Sequence, residues 1–210
     1  MSYSSQRVAG SNSSGAIWWL SLQNMLIVSM GVSLDGFTAD RAGGFAWSVP
    51  SDEQFDFHIQ QVRRLGCCLM GRKLYETMLV WETDPAMRND EPSTTFAEVW
   101  SAIPKVVFSR TLDRVEGNAR LAQGSVAEEV AAARAGTDRD IEIGGPTLAA
   151  AAIELIDEFG IFRHPVIVGG GTPLLPAVTT AIPLELTETR VFAGQVVYEQ
   201  YRRLGPGEGS

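Results

Sequence analysis

With 210 residues the chain is sized for one domain, and its 45% hydrophobic and 20% charged content are those of an ordinary soluble globular protein. A net charge of −8 argues against non-specific nucleic-acid binding, which needs a basic face, while leaving room for a local basic pocket around an anionic ligand. The two cysteines, Cys67 and Cys68, are adjacent in the apolar run C-C-L-M, where a bridge between them would be strained; they read as buried thiols in a strand. The lack of a disulfide framework suggests a cytoplasmic location.

Met1 to Asn24 differs in composition from the rest of the chain. It is rich in Ser, Gly and Asn and then carries I-W-W-L, too short to span a membrane and without the marks of a signal peptide. It reads as a tag, an extended translation start or a flexible arm, with Met25 looking like a natural beginning. Trp18 and Trp19 are expected to pack on the body or on a partner subunit. The domain proper is expected over about 25–204, followed by a disordered tail, Gly205 to Ser210.

Leu26 to Met30 is the apolar run of a buried parallel strand. The loop after it, G-V-S-L-D-G-F-T-A-D, has turn residues at Asp35 and Gly36. Ser51 suits a helix N-cap, and Asp52 and Glu53 suit the positive start of a helix that carries Phe55, Ile59 and Val62 and ends near Gly66. Cys67 to Met70 is a second buried strand, turning through G-R-K-L-Y-E-T-M into another helix. Phe96 to Trp100 forms a short helix closed by Pro104, and Lys105 to Phe108 a third strand that leaves into S-R-T-L-D. Ser125 caps an amphipathic helix to Arg134.

Ile141 and Ile143 end a strand at Gly144 and Gly145, and Pro146 then opens a helix with Thr147, Leu148 and four alanines. Proline suits a first helical position, and two glycines let a ligand come against the backbone. The unpaired N–H groups at such a helix start favour a phosphate. Tight packing alone is the alternative for this corner, because G-G-P-T-L lacks the full G-x-G-x-x-G spacing. Glu158 to Phe162 comes next, Pro165 to Val168 is expected as a strand leaving into G-G-G-T-P, and Leu184 to Val191 with Gln195 to Arg202 reads as a hairpin. The whole is an α/β fold of three layers, α/β/α, with a mostly parallel central sheet closed by a C-terminal antiparallel hairpin.

Ligands of open parallel sheets bind outside the carboxyl ends of the strands. Three such ends suit one anionic ligand: Gly71-Arg72-Lys73, Ser109-Arg110-Thr111 and the Gly144-Gly145 turn. Arginine gives bidentate contacts to a phosphate monoester, and the glycine turn would hold a pyrophosphate, which is the layout of an NADPH site. Each of these arginines is also readable as a solvated surface cation.

In order along the chain, the segments V-S-L-D-G-F-T-A-D, L-M-G-R-K-L-Y-E, V-V-F-S-R-T-L, I-E-I-G-G-P-T-L, L-I-D-E-F and H-P-V-I-V-G-G-G-T-P resemble the dihydrofolate reductase-like superfamily. They look most like the small reductases akin to the C-terminal domain of the bifunctional riboflavin-biosynthesis deaminase/reductase. The resemblance implies NADPH as hydride donor, a small-molecule substrate and a homodimer. By position it implies Gly31 and the loop containing Asp35 and Thr38 at the nicotinamide. It gives Gly71, Arg72, Lys73, Ser109, Arg110 and Thr111 to the 2′-phosphate side, and Gly144, Gly145, Pro146, Thr147 and Leu148 to the pyrophosphate. Trp47 and His164 fall on the substrate side. The stretch W-S-V-P-S-D puts Asp52 where dihydrofolate reductases carry a protonation carboxylate; it is either a catalytic proton relay or only a helix-start residue. Two other functions are weighed: a dihydrofolate reductase proper, and a non-catalytic NADPH-binding module. No metal site is expected, since His58 and His164 are the only histidines and neither lies in a ligand-spaced cluster.

Overall fold

The computed structural model describes residues 24–205, so the expectations for the N-terminal segment, Trp18 and Trp19, and for most of the tail lie outside the described residues. In chain order the strands and helices are β1 (Leu26–Val32), β2 (Phe37–Asp40), α1 (Asp52–Val62), β3 (Leu65–Gly71), α2 (Arg72–Met78) and α3 (Val80–Thr83). They continue with α4 (Glu91–Ala102), β4 (Lys105–Phe108), β5 (Ala119–Leu121), α5 (Val126–Gly136), β6 (Asp140–Gly144) and α6 (Pro146–Ala151). Last come β7 (Glu158–Arg163), β8 (Gly171–Pro173), β9 (Leu184–Val191) and β10 (Val197–Arg203). None of the helices among the described residues is long and apolar enough to cross a membrane.

Eight strands make one sheet in the order β5-β4-β3-β6-β1-β7-β10-β9. The six from β5 to β7 run parallel, and β10 and β9 add an antiparallel hairpin at one edge. Parallel strands buried on both faces need apolar residues at nearly every position, and L-I-V-S-M and C-C-L-M supply them. On one face Leu26, Val28, Leu69, Ile141 and Ile143 pack with Val130 of α5 and Leu148 of α6. On the other, Cys68, Met70 and Val107 pack with Ile59 and Val62 of α1 and with Phe96 and Trp100 of α4. The two thiols are free and buried, one in each layer, as alternation along a strand requires. A third cluster joins Phe57 of α1 to Phe162, Phe192, Val196 and Tyr198 under the hairpin.

The caps fall where their chemistry directs. The Ser51 hydroxyl accepts from the Gln54 N–H at 3.3 Å, and Ser125 with Glu128 forms a reciprocal capping box at the start of α5. Four expectations need correction. Helix α1 stops at Val62 rather than near Gly66, because Leu65 already pairs with Asp140 in the sheet. Gly66 lies inside β3, where a Cβ would collide with the Thr137 side chain. Helix α4 starts at Glu91, ahead of the expected Phe96, because the Asp90 carboxylate accepts from the Ser93 N–H at 2.8 Å and Pro92 sits in the first turn.

Pro165 to Val168 is a loop, not a strand. The His164 N–H closes the ladder on the Val32 carbonyl, Pro165 has no N–H to continue it, and Gly169, Gly170 and Gly171 all take positive φ (72°, 134° and 140°). The chain turns there and pairs as β8 with β2 in a separate two-stranded sheet. Finally, β10 begins at Val197 rather than Gln195, since Ala193–Gln195 is a turn of 3-10 helix with Gln195 at φ +63°.

Candidate active site

Because β4, β3, β6, β1 and β7 are neighbours and parallel, their carboxyl ends lie in a row along one edge of the sheet. The first three ends bring the expected anion-binding loops together. Gly71 is the N-cap of α2, with Arg72 and Lys73 as its first two helical residues. Arg72 reaches across to β4, donating from Nη1 to Thr111 Oγ1 at 2.7 Å, while its Nε donates to Glu76 at 2.7 Å. Ser109 Oγ accepts from the N–H groups of Thr111 and Leu112 at 3.1 and 3.0 Å and lies 3.5 Å from Thr111 Oγ1, so the two hydroxyls and Arg72 form one polar cluster. Lys73 and Arg110 are exposed, and among the described residues neither side chain has an ion pair or hydrogen bond. In a chain of net charge −8, two unpartnered cations beside a tethered arginine make a local positive site.

The third end sits against the first. A Cβ on Gly145, whose φ is +96°, would lie 3.6 Å from the Gly71 nitrogen, so the two glycine backbones face each other closely. Gly144 has a packing reason to be glycine as well: a Cβ there would collide with Leu74. Pro146 takes the first position of α6, Thr147 is exposed, and the Leu148 side chain is buried in the core, so Leu148 offers a ligand only its backbone. The arrangement fits an elongated anion, with backbone N–H groups at the glycines and cations at the β3 and β4 ends.

At the β1 end the geometry changes character. A Cβ on Gly31 would sit 3.2 Å from His164 Nε2 and 3.6 Å from the Ser48 Cβ, so this strand end is open only because residue 31 lacks a side chain. Trp47, in the 3-10 turn Ala46–Ser48, packs edge-on to the His164 ring at 5.5 Å. Both rings carry a buried polar atom without a partner, Trp47 Nε1 and His164 Nε2. Burial lowers the His164 pKa from its ordinary value. A cavity of about 350 Å³ opens here, lined among others by Trp47, Ser51, His164 and Val196.

Asp35 and Thr38 hold loops together. The Asp35 carboxylate accepts from the N–H groups of Val168 and Gly169 at 3.2 and 2.8 Å; a hydrogen bond from Ser33, then these contacts, keep its pKa below the ordinary carboxylate value. Thr38 Oγ1 donates to the Thr172 carbonyl at 3.1 Å across the β2–β8 pair. Asp52 is the exposed first residue of α1.

Two residues that sequence reasoning passed over belong to this region. Gln54 is 2% exposed with its Oε1 unpartnered, and its Nε2 lies 3.3 Å from His58 Nε2. The His58 ring packs on Phe162 at 4.4 Å, and burial, with a lesser effect from His164, pushes its pKa down to about 4. The signal was a polar residue at the core-facing position one turn beyond Ser51, in a helix face otherwise filled by Phe57 and Val62.

A family model described as the RibD C-terminal domain matches residues 24–198. The uncharacterized protein YyaP of Bacillus subtilis (strain 168) is 31% identical over 186 residues, covering 85% of this chain and 95% of that protein. A provisionally named riboflavin biosynthesis protein from Shewanella sp. PV-4 superposes with a TM-score of 0.69 at 25% identity, over 86% of this chain and 99% of that one. The deaminase/5-amino-6-(5-phosphoribosylamino)uracil reductase of Thermotoga maritima gives 0.64 at 16% identity, over 88% and 58%. Dihydrofolate reductase from Enterococcus faecalis, complexed with NADP(H), gives 0.56 at 17%, over 86% and 97%. The last two likenesses are of fold.

Proposed function

The chain belongs to the RibD C-terminal domain family, and from that premise we propose that it is an NADPH-dependent reductase of a small heterocycle, of the riboflavin-biosynthesis type. The observation that carries the proposal is the row of strand ends in which Arg72, Thr111, Lys73 and Arg110 gather beside the facing Gly71 and Gly145 backbones. A 2′-phosphate bound by Arg72, Lys73, Ser109, Arg110 and Thr111 is the physical reason to prefer NADPH over NADH. The pyrophosphate would lie against Gly144, Gly145 and the N–H groups beyond Pro146. When bound, the cofactor supplies the hydride, from the nicotinamide carbon that would lie at Gly31.

The chain's own residues position and enclose. Gly31 leaves space, and Asp35 and Thr38 act through the Val168–Gly169 and β2–β8 contacts that shape the nicotinamide border. Trp47 and His164 form the substrate wall, where holding two reactants in register supplies much of the rate enhancement. The exposure of Asp52 favours its helix-start role; a proton relay would require the carboxylate to be enclosed on substrate binding. On the same premise the protein acts as a cytoplasmic homodimer, a state checked by its mass in solution. The proposal is tested by following NADPH absorbance on addition of aminopyrimidine ribosides and dihydropterins. Oxidation dependent on one of them is the expected result. Tight NADPH binding with no oxidation by any of them would point instead to a non-catalytic NADPH-binding module.

A further inference from the structure

Resting on the reductase proposal, we infer that the substrate is an uncharged heterocycle that carries a hydrogen-bond acceptor and no phosphate, held in the cavity that Trp47 and His164 border. The wall of that cavity is apolar or neutral throughout. Trp47, Val49, Pro50, Ser51, His164 and Val196 are typical of it, and no Lys or Arg is among the described residues that line it. Its rim is acidic. Ser51 leads directly into Asp52 and Glu53, and Glu53 Oε2 accepts from the N–H of Ala193, a lining residue, at 3.2 Å.

The positive end of α1 does not reverse this. The Ser51 hydroxyl already meets the Gln54 N–H, and the two carboxylates stand in the first turn. A phosphate monoester entering here would meet the like charge of Asp52 and Glu53, which disfavours it; the guanidinium of Arg190 lies over the Phe57 and Phe192 rings and is not among the residues that line the cavity. The cations of the anion cradle are too far away to help. Even the β3 end, which carries Arg72 and Lys73, is three strand spacings from the β7 end, about 14 Å at 4.8 Å each, and Arg72 is tied to Thr111 on the side away from it. Arg41 donates to the Gly169 carbonyl at 2.7 Å, on the β2–β8 side.

The buried polar atoms define what does fit. An indole N–H can only donate, so an acceptor on the ligand would satisfy Trp47 Nε1. His164 is 3% exposed, and its Nε2, beside Gly31, can donate or accept according to tautomer. Leaving such groups buried and unpaired is unfavourable, and a ring with the matching polar edge relieves it. The inferred substrate therefore differs from the phosphoribosyl compound in the name of the Thermotoga maritima reductase.

The test uses matched pairs, each an aminopyrimidine or pterin riboside and its 5′-phosphate, titrated into the full chain by tryptophan fluorescence after NADPH binding has been measured separately. The expected result is at least about tenfold tighter binding of the uncharged member, with NADPH oxidation in the same order. In Val49→Arg, a cation on an already exposed wall position shifts the preference toward the phosphate by about fivefold or more. His164→Ala weakens binding of the uncharged member by about tenfold or more. Equal or tighter binding of the phosphates overturns the inference and leaves the reductase proposal standing. Failure of both members of every pair, with NADPH bound, overturns it too. Failure of NADPH in the first titration overturns the reductase proposal together with the inference built on it.

Discussion

His58 offers a quantitative test of how the α1 face is packed against the sheet. Burial, then the neighbouring His164, lowers its pKa from 6.5 to about 4. Between those values the unfolded chain holds a proton that the folded chain does not. Its stabilising effect is therefore complete above about pH 6.5 and declines as the pH falls toward 4. The gap of about 2.5, at 1.36 kcal/mol for each, gives at most about 3 kcal/mol, with about 2 kcal/mol already lost at pH 5. The ring is half-buried, so solvent screening makes these upper values. The perturbation is His58→Gln, which keeps a polar partner for Gln54 and removes the titration. Urea unfolding of both proteins from pH 7.5 to pH 4.5 is the assay, since carboxylates elsewhere titrate equally in both and cancel in the difference. Wild type should lose about 2 kcal/mol more than the variant between pH 7 and 5. A difference that stays flat over that range would refute the half-buried, neutral His58.

Gly171→Ala should destabilise strongly, because φ is +140° and a Cβ would collide with the Ala39 carbonyl oxygen. The expected loss is about 3 kcal/mol, or roughly 6–12 °C in melting temperature by calorimetry. Phe162, 1% exposed between Phe57 and Tyr198, should cost about 3–5 kcal/mol on truncation to Ala, whereas Phe45→Ala, at a position 50% exposed, should cost under about 1 kcal/mol. Comparing their urea midpoints checks both. Arg72→Ala and Arg110→Ala should each weaken NADPH by about tenfold or more with little effect on NADH; equal losses for the two cofactors would displace the phosphate from this site.

Local chemistry made much of the fold legible. Ile141 to Ala149 declares itself because strand, glycine turn, proline and alanine helix are each set by residues within a few positions. Ser125 and Glu128 likewise announce α5. What stayed hidden is non-local. That Phe37 pairs with Pro173, and that Pro165 to Val168 is a loop tied to residues 34 and 35, depends on contacts more than a hundred residues apart in the chain. Asp90 and Pro92, by contrast, are a local start signal for α4, an N-cap carboxylate followed by a first-turn proline.

The site divides in the same way. Arg72, Thr111 and the facing glycines are brought together by strand order, which the βα alternation foreshadows. Asp35 and Thr38, read as cofactor contacts, are engaged in loop hydrogen bonds that their sequence neighbourhood does not reveal. Gln54 and His58 sit in an ordinary amphipathic helix, and only the packing of α1 on β7 shows that Gln54 is buried and that the half-buried His58 ring lies on Phe162.

The most direct measurement is a pair of titrations of the full chain with NADPH and with NADH, followed by energy transfer from its tryptophans. The arrangement of Arg72, Lys73 and Arg110 at adjacent strand ends predicts affinity for NADPH at least about tenfold above that for NADH. Equal affinity for both, or binding of neither, would contradict it.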